Sequence, residues 1–476
     1  MVFADLFFLY FFLPVCLIFY FMTRSLTIRN AVLIVFSLVF YAWGEPIWVS
    51  LLIFSSVVDY INGLVIDKHR GKFGAKLAVL MSLVINLGLL VAFKYSGFIV
   101  ENVNALIGSS FTVPKIRLPI GISFYTFQTI SYTIDCYRGQ VKTQKNFFKF
   151  LMYVSLFPQL VAGPIVRYKV IEEEIEYRTT TLEMFSEGIS RIILGLGKKV
   201  IIANALSKVV SACFGEASDG YAAVGTVSVF GAWFGGRMVA LWYYYDFSGY
   251  SDIAIGLGRI FGFHFDENFN YPMICRSISD FWRRWHISLS SWFRDYVYIP
   301  LGGNRVSRGR HMLNIMIVWT LTGLWHGASW NFPLWGFYFG LFLLLEIAIG
   351  KDRLQKCPAV ILHIYTKVVV GVGFGIFYFD QTKPLGTFFK ALVGANGNPL
   401  SDTVIKTVIR NNAFILIAVA LFAMPVVPKV KEICMKKKSS AVVVQSAGVV
   451  LNIAILLISS ILLVNTTNNP FLYFRF

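Results

Sequence analysis

Apolar residues in this chain come in blocks long enough to cross a bilayer, and no long polar domain separates them. Examples are Val2–Phe21, Ala75–Phe93, the run ending in Phe337–Gly350, and Ala441–Val464. A helix crosses the hydrocarbon core in about 20 residues. Hydrocarbon admits only structures that satisfy their own backbone hydrogen bonds. The expected fold class is therefore all-α and polytopic, with roughly 11–14 membrane-embedded segments by the length rule, some of them re-entrant. Only 14% of residues are charged, against about 25% in soluble domains, so a set of soluble domains is excluded. The first block lacks a basic leader and a small-residue cleavage site, and reads as a retained first span.

The formal net charge is +18. In a soluble protein that would point to nucleic acid, but in a membrane protein Lys and Arg collect in cytoplasmic loops; no nucleic-acid partner is expected. Basic clusters follow the first span (Arg24, Arg29), the third (Lys68, Arg70, Lys72, Lys76) and Ile116–Asp135 (Arg138, Lys142, Lys145, Lys149). Two more lie at Lys351–Lys356 and Lys429–Lys438, whereas Gly44–Pro46 and Glu101–Pro114 are poor in basic residues. This alternation puts both termini outside the cytoplasm. The six cysteines are scattered, with no CxxC, which argues against a disulfide framework or a zinc site.

The middle of the chain is broken by Gly and Pro, at Leu118–Gly121 and from Phe157–Pro158 to Gly163–Pro164. Irregular backbone at membrane depth needs protein or water around it, so a cavity is expected. The densest chemistry lies in Ser279–Arg310. From Trp282, large apolar residues recur at Trp285, Leu289, Trp292, Phe293 and Tyr296. These spacings predict one helical face beside Arg283, Arg284 and Arg294, suited to a membrane interface, with Ser279 as its cap. Pro300–Asn304 is a turn signal. Beyond it, apolar Asn314–Leu324 runs into Trp325–His326–Gly327, and the next span begins near Pro333. His326 thus sits at the end of a broken hydrophobic hairpin, where an ionisable side chain points to function. A neutral histidine bonded to a backbone carbonyl is the plainer alternative there, and His286 alone says less.

There is no HExxH motif, no GxSxG elbow and no complete phosphate loop at Gly195–Lys199. No metal and no bound cofactor are expected. Histidine as general base remains.

Asp280–Arg305 (DFWRRWHISLSSWFRDYVYIPLGGNR), Leu324–Trp330 (LWHGASW) and Tyr245–Gly256 (YDFSGYSDIAIG) resemble the membrane-bound O-acyltransferase (MBOAT) family. The likeness is to the bacterial branch that includes alginate O-acetylase and the teichoic-acid D-alanyl transferase. The resemblance implies a ring of tilted helices around a central funnel. It spans a single polytopic domain over 1–476, with a core at about 116–380. It implies that His326 is the catalytic histidine and His286 the second, with Trp325, Asp280, Trp282, Arg283, Trp285 and Asn304 near the funnel. The aromatic ending Asn469–Phe476, after the span Ala441–Val464, is similar to a C-terminal motif whose tyrosine, here Tyr473, carries the acyl group transiently. A membrane-interface aromatic is the alternative for Tyr473. Also implied are acetyl-CoA or an acyl carrier as donor, an extracytoplasmic SGNH-type partner, a polysaccharide acceptor and a lipid-bilayer setting. Two alternatives are D-alanyl transfer from a carrier protein to teichoic acid, and a non-enzymatic transporter or flippase.

If charge bias sets orientation, a reporter fused after Lys438 is cytoplasmic and one fused at Phe476 is extracytoplasmic. Phosphatase and fluorescent-protein fusions check this, and both reporters on one side would contradict it.

Overall fold

The computed structural model describes residues 1–161, 163–436, 438–464 and 471–472. Among them the secondary structure is helical, with no strand. Among the described residues seven helices are long and apolar enough to cross a membrane, or eight if the bent pair Thr403–Asn411 and Ala413–Phe422 is one span. These are full-length spans alone, whereas the expected 11–14 embedded segments include re-entrant ones. Several apolar stretches in the middle of the chain fold as short buried helices, such as Phe147–Ser155 and Phe157–Leu160. The first apolar block also falls short of a full span, forming helix Phe8–Phe21 (α1).

The chain divides into two compact units. The first is built mainly on Met1–Ile193 and Tyr250–Glu267. Here α1 is followed by α2 (Leu26–Gly44), α3 (Val49–Lys68), α4 (Phe73–Lys94) and α5 (Ile122–Arg138). Apolar packing alone gives little specificity between helices in lipid, where small and polar residues decide the pairing. That role falls to a buried network: Asp59 of α3 accepts from Ser82 at 2.5 Å and Asn86 at 2.7 Å, both on α4. Ser82 also meets Thr133 of α5 at 3.0 Å. In the same unit the Tyr20 hydroxyl donates to the Phe261 carbonyl at 2.7 Å.

The second unit comprises mainly Leu194–Gly249 and Asn268–Leu462. Its landmarks are the long helix α6 (Val229–Ile260, its last turns counted with the first unit), the short α7 (Ile278–Arg284) and α8 (Ile287–Phe293), then α9 (Arg308–His326), α10 (Asn331–Ile349) and α11 (Ala359–Tyr378). Lys438–Val464 forms the last long helix, containing the expected span Ala441–Val464. Helices α9 and α10 form a hairpin whose backbones nearly touch. A Cβ on Gly336 would stand 2.1 Å from the Trp319 carbonyl oxygen, and one on Gly323 2.3 Å from that of Phe332. Glycine there lets α10 lie against α9 and fixes where the end of α9 points.

Gly336→Val is expected to destabilise the protein by about 1–3 kcal/mol through overpacking. The check is the thermal unfolding midpoint of the detergent-solubilised full chain; an unchanged midpoint would contradict the close approach.

Candidate active site

His326 is the last residue of α9; Gly327 follows in extended conformation. The residue is 7% exposed and its ring is held among aromatic rings, 5.1 Å from Trp335 and 5.0 Å from Phe377, both nearly edge-on, and 5.0 Å from Trp325. It lines a cavity of about 1150 Å³ within the second unit. Asp280, Trp282, Arg283, Trp285, His286 and Asn304 line the same cavity. Trp325 belongs to this group through its rings' approach to both histidines, at 5.0 Å from His326 and 6.2 Å from His286. The structure therefore gathers eight of the nine sequence-derived site residues. The ninth, Tyr473, lies outside the described residues. The two residues before it, Phe471 and Leu472, are buried, with Phe471 edge-on to Tyr250 at 4.8 Å.

The segment around His286 departs from the sequence expectation. The predicted single helix from Ser279 is instead two short helices, with His286 between them at φ 45° and ψ 55°. A left-handed non-glycine residue is uncommon, and the conformation persists only where the surroundings enforce it. They do so through Asn268, which is fully buried. Its backbone carbonyl accepts from Ile287 N at 3.0 Å. Its side-chain oxygen accepts from the Ser288 amide at 3.2 Å and the Ser288 hydroxyl at 2.9 Å. Because that oxygen is fixed as an acceptor, the His286 Nδ1 lying 3.2 Å away is the protonated nitrogen, and Nε2 holds the lone pair. Burial pushes the His286 pKa down to about 3, so the ring is neutral at physiological pH. The cap of α7 is likewise Ser277, whose side chain accepts from the Asp280 amide, and not Ser279. Nor does the aromatic face lie open to an interface: Trp282, Trp285, Leu289, Trp292, Phe293 and Tyr296 are all buried. Trp282 packs on Trp319, Trp335 and Phe339, and Trp285 on Phe374. The 3.6-residue period survives the break because each short helix carries its own apolar side inward.

Sequence reasoning missed Glu346. This carboxylate sits within the span α10, is 6% exposed and lines the cavity. It accepts from the amides of Ile278 and Ser279, the Ser279 hydroxyl at 2.6 Å and the Tyr365 hydroxyl at 3.2 Å. It thus tethers the first turn of α7, the helix that presents Asp280, Trp282 and Arg283 to the cavity. A glutamate inside the apolar run Phe337–Ile349 was the available signal, since an acid at membrane depth is costly without partners.

The arrangement is an aromatic chamber with one buried imidazole at a helix end and a second, neutral imidazole oriented by Asn268. Such a site can take a proton from a hydroxyl and exclude water from a reactive ester. Residues 140–352, which contain both histidines, match the family model described as MBOAT, the membrane-bound O-acyltransferase family. The chain is 40% identical to a probable alginate O-acetylase of Azotobacter vinelandii, covering 84% of this chain and 80% of the relative. It is 31% identical to the peptidoglycan O-acetyltransferase of Helicobacter pylori, covering 82% and 79%. The teichoic acid D-alanyltransferase of Streptococcus thermophilus is 28% identical over 49% of this chain and 60% of that one. This chain belongs to the MBOAT family. It is a multi-pass membrane protein and an O-acyltransferase. The likeness to the alginate O-acetylases runs well beyond the part matched by the MBOAT model, over 407 residues.

Glu346→Ala leaves three buried or half-buried donors of α7 without an acceptor, at about 1–3 kcal/mol each before relaxation. The expected result is a lowered unfolding midpoint together with loss of acyl transfer. Glu346→Gln, which keeps an acceptor oxygen, retains more of both. Equal behaviour of the two variants would contradict the tethering role.

Proposed function

We propose that this enzyme moves an acetyl group from a cytoplasmic donor, acetyl-CoA, across the membrane for O-acetylation of an extracytoplasmic polysaccharide. The observation that carries this reading is His326, an imidazole at a helix end, buried among aromatic rings and open to a large cavity. His326 removes the proton from the accepting hydroxyl. The hydroxyl oxygen forms the new ester bond at the thioester carbonyl carbon, the C–S bond breaks, and the departing thiolate receives the proton from His326. The accepting hydroxyl is that of Tyr473. An SGNH-type partner on the outer side then takes the acetyl group by ester exchange and delivers it to the polysaccharide, with both termini of this chain on that side. Neutral His286 supplies a hydrogen bond in the chamber without adding charge. The relay answers a physical constraint: the donor's phosphates cannot cross hydrocarbon, whereas an acetyl ester is small and neutral.

Acetyl is favoured over D-alanyl because the O-acetylase and O-acetyltransferase relatives align over more than four fifths of this chain, and the D-alanyltransferase over about half. D-alanyl transfer from a carrier protein remains the second reading, on the strength of that shorter match.

His326→Ala is expected to lower polymer acylation by about 10²–10⁴-fold at normal abundance. Tyr473→Phe removes one oxygen and is expected to abolish acylation, because residues 471–476 contain no other hydroxyl. Mass spectrometry of the C-terminal peptide, in cells lacking the outer partner, reads the acyl group directly. Acetyl on Tyr473 that disappears in His326→Ala supports the relay, and a D-alanyl mass supports the second reading. An unmodified peptide with full activity of Tyr473→Phe overturns the relay.

A further inference from the structure

Apart from the chamber, the second unit gathers cationic side chains from three distant parts of the sequence. Helices α6 and α11 cross at Gly236 and Gly371, where a Cβ on Gly236 would stand 3.2 Å from the Gly371 carbonyl. Arg237 is next to that crossing on α6, and Lys367 is one turn before it on α11. One further turn back, the His363 Nδ1 lies 3.3 Å from the Lys367 ammonium. The Thr366 hydroxyl donates to the Cys275 carbonyl at 3.2 Å and thereby fastens the segment carrying Arg276 against α11. Arg237 and Lys367 are within electrostatic range of each other and of Cys275, and His363 is within range of Lys367 and Arg276.

Among the described residues none of these four groups forms an ion pair with a carboxylate, and the Arg237 Nη1 is buried without a hydrogen-bond partner. The nearby acid, Asp280, is engaged with Arg284 at 3.1 Å and Arg283 at 3.8 Å. Lys367 lies in a span, where an uncompensated ammonium is costly and marks function by default. Arg276 is exposed and also lines the cavity, so this member of the group is reachable from there.

We propose that Arg237, Arg276, His363 and Lys367 form a binding site for a phosphate group. Two arginines and a lysine in one neighbourhood suit a phosphoryl group, which offers several acceptor oxygens to forked and single donors. The phosphate is that of an anionic phospholipid headgroup or that of the acyl donor. The second source rests on the acyl-transfer reading; the first does not.

The test uses the full chain, wild type and two variants. Arg237→Gln/Lys367→Gln removes the two half-buried cations. Arg276→Gln alters an exposed side chain and keeps the test valid if the double variant fails to fold. Native mass spectrometry measures retention of phosphatidylglycerol, and titration in phosphatidylcholine nanodiscs measures binding of coenzyme A. Loss of a charge-assisted contact is expected to weaken the true ligand about tenfold. Weakened phosphatidylglycerol retention assigns the site to a lipid, and weakened coenzyme A binding assigns it to the donor. Wild type and both variants binding both probes equally, or wild type binding neither, would overturn the proposal. Neither binding readout depends on turnover, so a failure of the acyl-transfer reading, seen with His326→Ala, stays distinguishable.

Discussion

Hydrocarbon offers no hydrogen-bond partners, so every place where the backbone leaves a helix must be satisfied by the protein. In the second unit this constraint sets the form of the site. The free amides at the start of α7 end on Glu346, a carboxylate supplied by a neighbouring span. The break between α7 and α8 is closed by Asn268, which takes the Ile287 and Ser288 amides and orients His286 with the same side-chain oxygen. Without those two residues the interrupted segment would leave buried donors unmatched, each costing about 1–3 kcal/mol. The break and its stabilisation are therefore the same structure.

Aromatic packing then gives the chamber its character. His326 is edge-on to Trp335 and Phe377, and Trp282 meets Trp319, Trp335 and Phe339. Large flat side chains bury much area with few rotatable bonds, so they hold a ring in place at low entropic cost. The close contact of α9 and α10 at Gly323 and Gly336 sets the position of His326 from behind. Glycines at a helix crossing and aromatics at the site are two parts of one arrangement: the first brings the backbones together, and the second fills the space they enclose.

The two histidines differ in how far their environment explains them. His286 is fixed in tautomer and orientation by Asn268 and kept neutral by burial. His326 is placed by a helix end and by rings. Acidic and basic residues outside the chamber are used differently. Asp59 joins three helices of the first unit through Ser82, Asn86 and Thr133. The cations around Arg237 and Lys367 lack such partners among the described residues.

Much of this was legible in the chain before any fold was known. Apolar block length fixed the helical membrane class. The periodic aromatics from Trp282 to Tyr296 marked one apolar helical face, though not that it turns inward, and a histidine beside a Gly-broken hairpin marked a candidate site. Such signals are local: they depend on spacing within one segment and on the cost of placing charge in lipid. What the tertiary structure alone decided are the pairings between segments distant in sequence: Glu346 with Ser279, Asn268 with His286, and Arg237 with Lys367. It also broke the expected single helix at His286 and moved its cap to Ser277. Spacing along a chain cannot reveal which helices cross at Gly236 and Gly371, because that choice depends on close packing of whole helix faces. Those crossings determine which buried polar groups become partners.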